Sequence, residues 1–180
     1  VDGVVDKAET AFINELIPYV EDKYPVAISR TDRIIGGLSM GGYAALNLSL
    51  RHPDKFCAAA VISPAIYDPV PPLSSAARRT AQFVRNGEFD EELWKKLLYI
   101  SHLDEYQKTG KPVSMWIVSG DHDRLGIAAA SAQLFWKLHQ FQPKKVELRV
   151  VDGDHDWMVF RDGLPDALRY ADSQCAAQNK

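Results

Sequence analysis

The chain is poor in cysteine, with only Cys57 and Cys175 among its 180 residues, and their spacing excludes a thiolate metal cluster. Spacing leaves their pairing open, and Cys57, at the head of an apolar run, reads as a buried thiol. No apolar stretch approaches the ~20 residues that cross a bilayer, so no membrane span is expected. No secretory leader stands at the start either. The chain opens with Val1 rather than Met, however, so that lack carries no information about compartment. Basic charge is also scarce. With 21 Lys and Arg against 24 Asp and Glu the net charge is −3, which offers nucleic acid no electrostatic footprint. Repeats and low-complexity segments are missing. What is present is ordinary globular composition, 46% hydrophobic and 25% charged, in a length that suits one domain with a substantial core.

Apolar runs and helical patterns alternate along this length. Asp6 and Glu9 have the spacing of a capping box, and Phe12, Ile13, Leu16, Ile17 and Val20 follow on one helical face. Pro18 falls inside that pattern and should kink the helix near Asn14. A short strand is expected near 33–38, then a helix from about Gly41 to Arg51. Buried strands are expected over 56–62 and 113–118, the second followed by an alanine-rich helix from about Gly126 to Gln140. Val146 to Val151 alternates through Glu147 and Arg149, as a half-exposed strand near the sheet edge does. A last helix is expected from about Trp157 to Asp172, interrupted around Gly163 and Pro165. This rhythm implies an α/β fold, a mostly parallel sheet with right-handed crossovers. Residues 64–111 break it. Pro64, Pro69, Pro71 and Pro72 open a helical insertion at the strand C-termini, where ligands bind in open α/β sheets. Asp90 is placed to cap one of its helices. Most of its aromatics should hold the insertion to the body, with one or two, such as Tyr67, left to contact substrate.

Gly37-Leu38-Ser39-Met40-Gly41 is a GxSxG sequence set between an apolar strand and a run of helix formers. That is the setting of a sharp strand-to-helix turn that exposes a nucleophilic hydroxyl. Glycines on either side let the two backbones approach, and the Met40 N–H, at a helix N-terminus, faces a developing oxyanion. A serine that merely caps a helix would not need those glycines. Gly-Asp-His-Asp then occurs twice, at 120–123 and 153–156, each time directly after a predicted strand and so on the rim that carries Ser39. The chain order Ser…Asp…His assigns Ser39 as nucleophile, His155 as general base and acid, and Asp123 as the carboxylate that holds the imidazole. Asp121 competes with Asp123, but like Asp154 and Asp156 it also suits loop amides or a helix cap. The paired Asp-His-Asp clusters raise a metal reading too, which would leave the serine turn without a purpose, so no metal site is assigned. His122 is read as a loop residue beside the site, and His52, His102 and His139 as capping or solvent-facing.

With these residues placed, the segment from Asp32 to Tyr43 resembles the nucleophile segment of the putative-esterase family. That family holds S-formylglutathione hydrolases, feruloyl esterases, enterochelin-type esterases and mycolyltransferases. The likeness extends to Glu15-Leu16-Ile17-Pro18-Tyr19, to Arg51-His52-Pro53-Asp54-Lys55-Phe56, to Gly120-Asp121-His122-Asp123 and to Gly153-Asp154-His155-Asp156-Trp157. It implies an α/β-hydrolase catalytic domain and cleavage of a carboxylic or thio ester; a small or medium ester is expected, with no cofactor required and with Trp157 and Tyr67 at the substrate. Acyl transfer by the same intermediate, or a non-catalytic binding module on the same scaffold, would use the same residues. Family members carry further strands before the helix that opens this chain, and one of the loops among them supplies a second oxyanion N–H. Only Met40 can be assigned here, and the Ser39 strand should present an unpaired apolar edge. A trimmed N-terminal segment, or a partner chain in a homo-oligomer, would cover that edge; a reduced fold with another oxyanion donor is the third reading.

Overall fold

A computed structural model of the chain describes residues 2–3 and 7–178. Its centre is a four-stranded, wholly parallel sheet in the order β1-β2-β5-β6. These strands are β1 (Ile34–Leu38), β2 (Ala58–Ile62), β5 (Ser114–Gly120) and β6 (Val146–Val151). Every residue of β2 and β5 is buried, because helices cover both faces, and an unbroken apolar run is what such strands need. Ala59, Val61, Met115 and Ile117 face a core shared with α3 (Met40–Arg51) and α6 (Ile127–His139). Ala60, Ile62, Trp116 and Val118 face α7 (Trp157–Ala176) on the other side. The edge strand β6 alternates as expected. Leu148 packs inward on the α6 side, and the Arg149 guanidinium lies 4.5 Å above the Trp116 ring on the α7 side.

The opposite edge is the outer side of β1, which pairs with no strand among the described residues. Exposed Leu16 and Val26 lie to one side of it, and Trp157, Met158 and Leu164 to the other. Among the described residues this edge has the unpaired apolar character expected from the sequence.

The opening helix shows what Pro18 does. It runs as α1 (Ala8–Ala11), a π-helical stretch over Phe12–Leu16, and α2 (Ile17–Lys23). Pro18 has no N–H to offer the Asn14 carbonyl, and the helix widens there instead of breaking. The proposed cap Asp6 lies outside the described residues. Glu9 is buried and does other work, receiving Arg51 Nε at 3.1 Å and lying 2.6 Å from His52 Nε2. His52 and His102 stand at helix ends as expected, His52 as the C-cap of α3 and His102 just before the helix over 103–108, but both are half-buried rather than solvent-facing.

Three further expectations needed correction. The last helix is continuous from Trp157 to Ala176 and carries Pro165 within it. Gly163 is there for contact, not interruption, since a Cβ on it would lie 2.9 Å from Val118 Cγ1. Cys57 is buried but is no thiol. It is disulfide-bonded to Cys175, tying the entry of β2 to the end of α7 with Cα atoms 5.4 Å apart. The insertion, finally, is not purely helical. Besides α4 (Glu91–Leu97) and α5 (Leu103–Lys108) it has a hairpin of β3 (Val84–Arg85) and β4 (Glu88–Phe89). Asn86 and Gly87 turn it with φ of 53° and 84°, the pair of positive φ values a two-residue hairpin turn requires. Asp90 caps α4, its Oδ1 accepting the Leu93 N–H at 2.9 Å. The insertion's core is Trp94, fully buried against Tyr43, Tyr67, Phe83 and Phe89, with its indole N–H donating to the Tyr67 carbonyl at 3.0 Å.

Candidate active site

Ser39 stands between β1 and α3 with φ 53° and ψ −117°, a conformation a residue with a Cβ rarely adopts and keeps only when its surroundings hold it. Three backbone hydrogen bonds do so. Ser39 N–H donates to the Ile62 carbonyl at 2.9 Å, and its own carbonyl accepts from Tyr43 at 3.0 Å and Ala65 at 3.1 Å. The turn is also tight. A Cβ on Gly37 would run into the backbone of Gly41, and one on Gly42 would lie 2.9 Å from the Ile62 carbonyl oxygen. A Cβ on Gly41 would meet nothing within 4 Å. The close approach expected of the flanking glycines thus rests on Gly37 and Gly42, whereas Gly41 contributes its slim backbone to the contact with Gly37.

The loops after β5 and β6 converge on this turn. His155 Nε2 lies 2.9 Å from Ser39 Oγ, and His155 Nδ1 lies 2.8 Å from Asp123 Oδ2. The Asp123 side chain is wholly enclosed and that of His155 is 12% exposed, so solvent screens the pair poorly. The other carboxylate oxygen of Asp123 accepts the Leu125 N–H at 2.9 Å, which sets its orientation. The Phe160 ring meets the imidazole edge-to-face at 5.0 Å. A hydroxyl, an imidazole and a buried carboxylate in this order can move a proton off the hydroxyl and keep the resulting imidazolium paired.

The neighbouring carboxylates hold loops. Asp121 Oδ1 accepts the Gly153 N–H at 3.1 Å, and a Cβ on Gly120 would run into the Gly153 carbonyl, so the two loops interlock. Asp154 accepts the amides of His155 at 2.6 Å and Arg124 at 3.0 Å, and receives Arg124 Nη1 at 2.8 Å. Those amides, the Arg124 one first, and the guanidinium lower its pKa to about 2. Asp156 caps α7, accepting from Met158 at 2.9 Å and Val159 at 3.3 Å. Asp121, His122 and Asp152 bring donor atoms within 4.8 Å of one another on the exposed rim. None of the three lines the cavity that holds Ser39 and His155.

Ser39 and His155 open into a cavity of about 370 Å³ whose walls include Met40, Tyr67, Ser74, Ser75, Arg79 and Arg124. Met40 is the first residue of α3, where backbone N–H groups have no helical partner. Tyr67 reaches the cavity from the insertion. Burial raises its pKa against the opposing hydrogen bond to Ser75. Trp157, paired with Tyr67 in the sequence reading, does not line this cavity. As the first residue of α7 it points toward the free edge of β1, 74% exposed, and lines a separate hollow with Leu38 and Leu164. Arg79 and Arg124 were not singled out from sequence. Arg124 was findable as the neighbour of Asp123, but nothing local marks Arg79 among the arginines of the insertion.

With this geometry in view, similarity to known proteins is informative. A family model described as "Putative esterase" matches residues 3–171. Among solved structures, a ferulic acid esterase superposes with a TM-score of 0.77 at 25% identity, covering 97% of this chain and 63% of its own. An S-formylglutathione hydrolase from Staphylococcus aureus gives 0.69 at 20% identity, covering 91% and 61%. An enterobactin esterase from Shigella flexneri gives 0.59 at 21%, covering 86% and 35%. The chain thus has the α/β-hydrolase fold and spans under two thirds of the length of these three structures.

Proposed function

Because the chain belongs to the putative esterase family, we propose that it is a serine hydrolase of carboxylic or thio esters working through Ser39, His155 and Asp123. The observation that carries this reading is the continuous contact from Ser39 Oγ through the imidazole to the enclosed Asp123 carboxylate, at 2.9 and 2.8 Å. In the proposed reaction Ser39 Oγ attacks the acyl carbon while His155 Nε2 takes its proton. Asp123, deprotonated throughout, steadies the imidazolium at Nδ1. The Met40 N–H receives the oxyanion as it forms, and a single such donor is worth about 10²–10³ in turnover. The tetrahedral intermediate collapses as His155 returns the proton to the leaving oxygen or sulfur. Water, deprotonated by the same imidazole, then releases the acid and restores Ser39. No step requires a cofactor. A cavity of about 370 Å³ is at the small end for ligand sites, which suits a small or medium ester.

The test is hydrolysis of p-nitrophenyl acetate, butyrate and octanoate by the chain beside Ser39→Ala. The expected result is turnover that falls at least 10³-fold in the variant, with the longest acyl chain the poorest substrate. Equal rates in the two proteins would refute the reading.

A further inference from the structure

The charges around the cavity are one-sided. Its lining includes two guanidinium groups, Arg79 and Arg124, and no Asp or Glu, although the chain as a whole carries a net charge of −3. The two arginines differ in what they are already doing. Arg124 is tied to Asp154 at 2.8 Å, which neutralises it. Arg78, next door, is also occupied, donating Nε to the Pro71 carbonyl at 2.7 Å and lying 4.6 Å above the Phe89 ring. Arg79 has no hydrogen-bond or ion-pair partner among the described residues. It ends the 3-10 turn Ala76–Arg79, which places it on the wall that the insertion contributes to the cavity of Ser39 and His155. Exposed Ser74 stands near it on the same wall.

An exposed, unneutralised guanidinium on the wall of the cavity that also holds the nucleophile, with no carboxylate in that wall to satisfy it, has a specific use. Its planar fork presents two parallel N–H donors that match a carboxylate. We propose that Arg79 selects esters that carry a carboxylate, holding that group while the ester carbonyl sits at Ser39. This inference rests on the esterase reading above and adds the substrate's charge to it. For a half-ester of a dicarboxylic acid, water adds across the acyl C–O bond, and the dicarboxylate and the free alcohol or phenol leave. The carboxylate could equally be carried by the leaving group, and the shared feature is its charge.

The experiment compares matched charged and neutral esters. One pair carries the charge on the acyl side, p-nitrophenyl hemiadipate against its methyl ester. The other carries it on the leaving group, 4-acetoxybenzoate against methyl 4-acetoxybenzoate. The quantity read is the charged-to-neutral ratio of kcat/KM in the wild type, Arg79→Gln and Arg79→Lys. In Arg79→Gln that ratio should fall at least tenfold in one pair, mainly through KM of the charged ester. Arg79→Lys should lie between, and 0.5 M NaCl should shrink the wild-type ratio. The pair that responds shows which side of the ester bears the carboxylate. An unchanged ratio in both pairs, or equal losses on charged and neutral esters, would overturn the proposal. Should the wild type hydrolyse no ester faster than Ser39→Ala, the esterase reading fails while the charge preference is still testable by binding. Sodium monomethyl adipate, titrated against Ser39→Ala by NMR, should then bind more tightly than dimethyl adipate and lose that advantage when Arg79→Gln is added. Equal affinities would overturn it.

Discussion

Asp154 shows how much of this candidate site is held by single residues outside the Ser39–His155–Asp123 contact. Its carboxylate anchors the amide of His155 and reaches across to Arg124, and these contacts depress its pKa from 3.8 to about 2. A group whose pKa is lower in the folded chain adds stability that is complete above its ordinary value and lost as the pH falls through the lowered one. Asp154→Asn should therefore unfold at a lower urea concentration than the wild type at pH 7, with the gap closing as the pH drops from about 4 toward 2. Parallel midpoints across that range would show that the charge of Asp154 does not matter to folding. At this scale the structure brings Ser39, Asp123 and His155 into contact, and their proximity was expected because the serine turn and both Gly-Asp-His-Asp segments follow strands and so share one rim of the sheet. Asp121 and Asp123 share such a sequence, and only burial separates them. Asp121 is exposed and spends an oxygen on Gly153, whereas Asp123 is enclosed beneath the imidazole.

Among the elements, α7 departs furthest from expectation. A glycine and a proline two residues apart suggest an interruption, yet the helix passes through both because it lies against β2 and β5 and that packing outweighs local propensity. Gly163 lies against Val118 of β5. Replacing it with alanine gains about 0.8–1.0 kcal/mol of helix propensity. The new Cβ would lie 2.9 Å from Val118 Cγ1, and Val118 is itself buried in β5 with little room to turn. Overpacking of that kind costs about 1–3 kcal/mol, so Gly163→Ala should lower stability by about 1 kcal/mol net, read as a lower urea midpoint. A gain would mean that Val118 yields freely. The hairpin β3–β4 was missed for a different reason. Its strands have two residues each, too short for periodicity to register, although Asn86-Gly87 is a strong turn signal.

For the whole molecule the largest covalent constraint is the Cys57–Cys175 disulfide, which closes a loop over a sequence separation of 118 residues. Loop-closure entropy for that length is worth about 4–5 kcal/mol at most, and measured values are more often 2–4. Replacing both cysteines with alanine should lower Tm by roughly 10 °C, at about 2–4 °C per kcal/mol for a chain of this size. A shift of a degree or less would mean that packing of α7 on β2 already secures this end of the molecule. The order of strands and helices, the parallel sheet, the half-exposed β6 and the serine turn were all determined by the sequence itself, because each follows from periodicity or turn chemistry within a dozen residues. Tertiary structure alone decided the pairing of Cys57 with Cys175, the turning of Trp157 away from the cavity, and the placing of Arg79 within it. Those outcomes depend on distances between segments far apart in the chain, and no local pattern encodes such a distance.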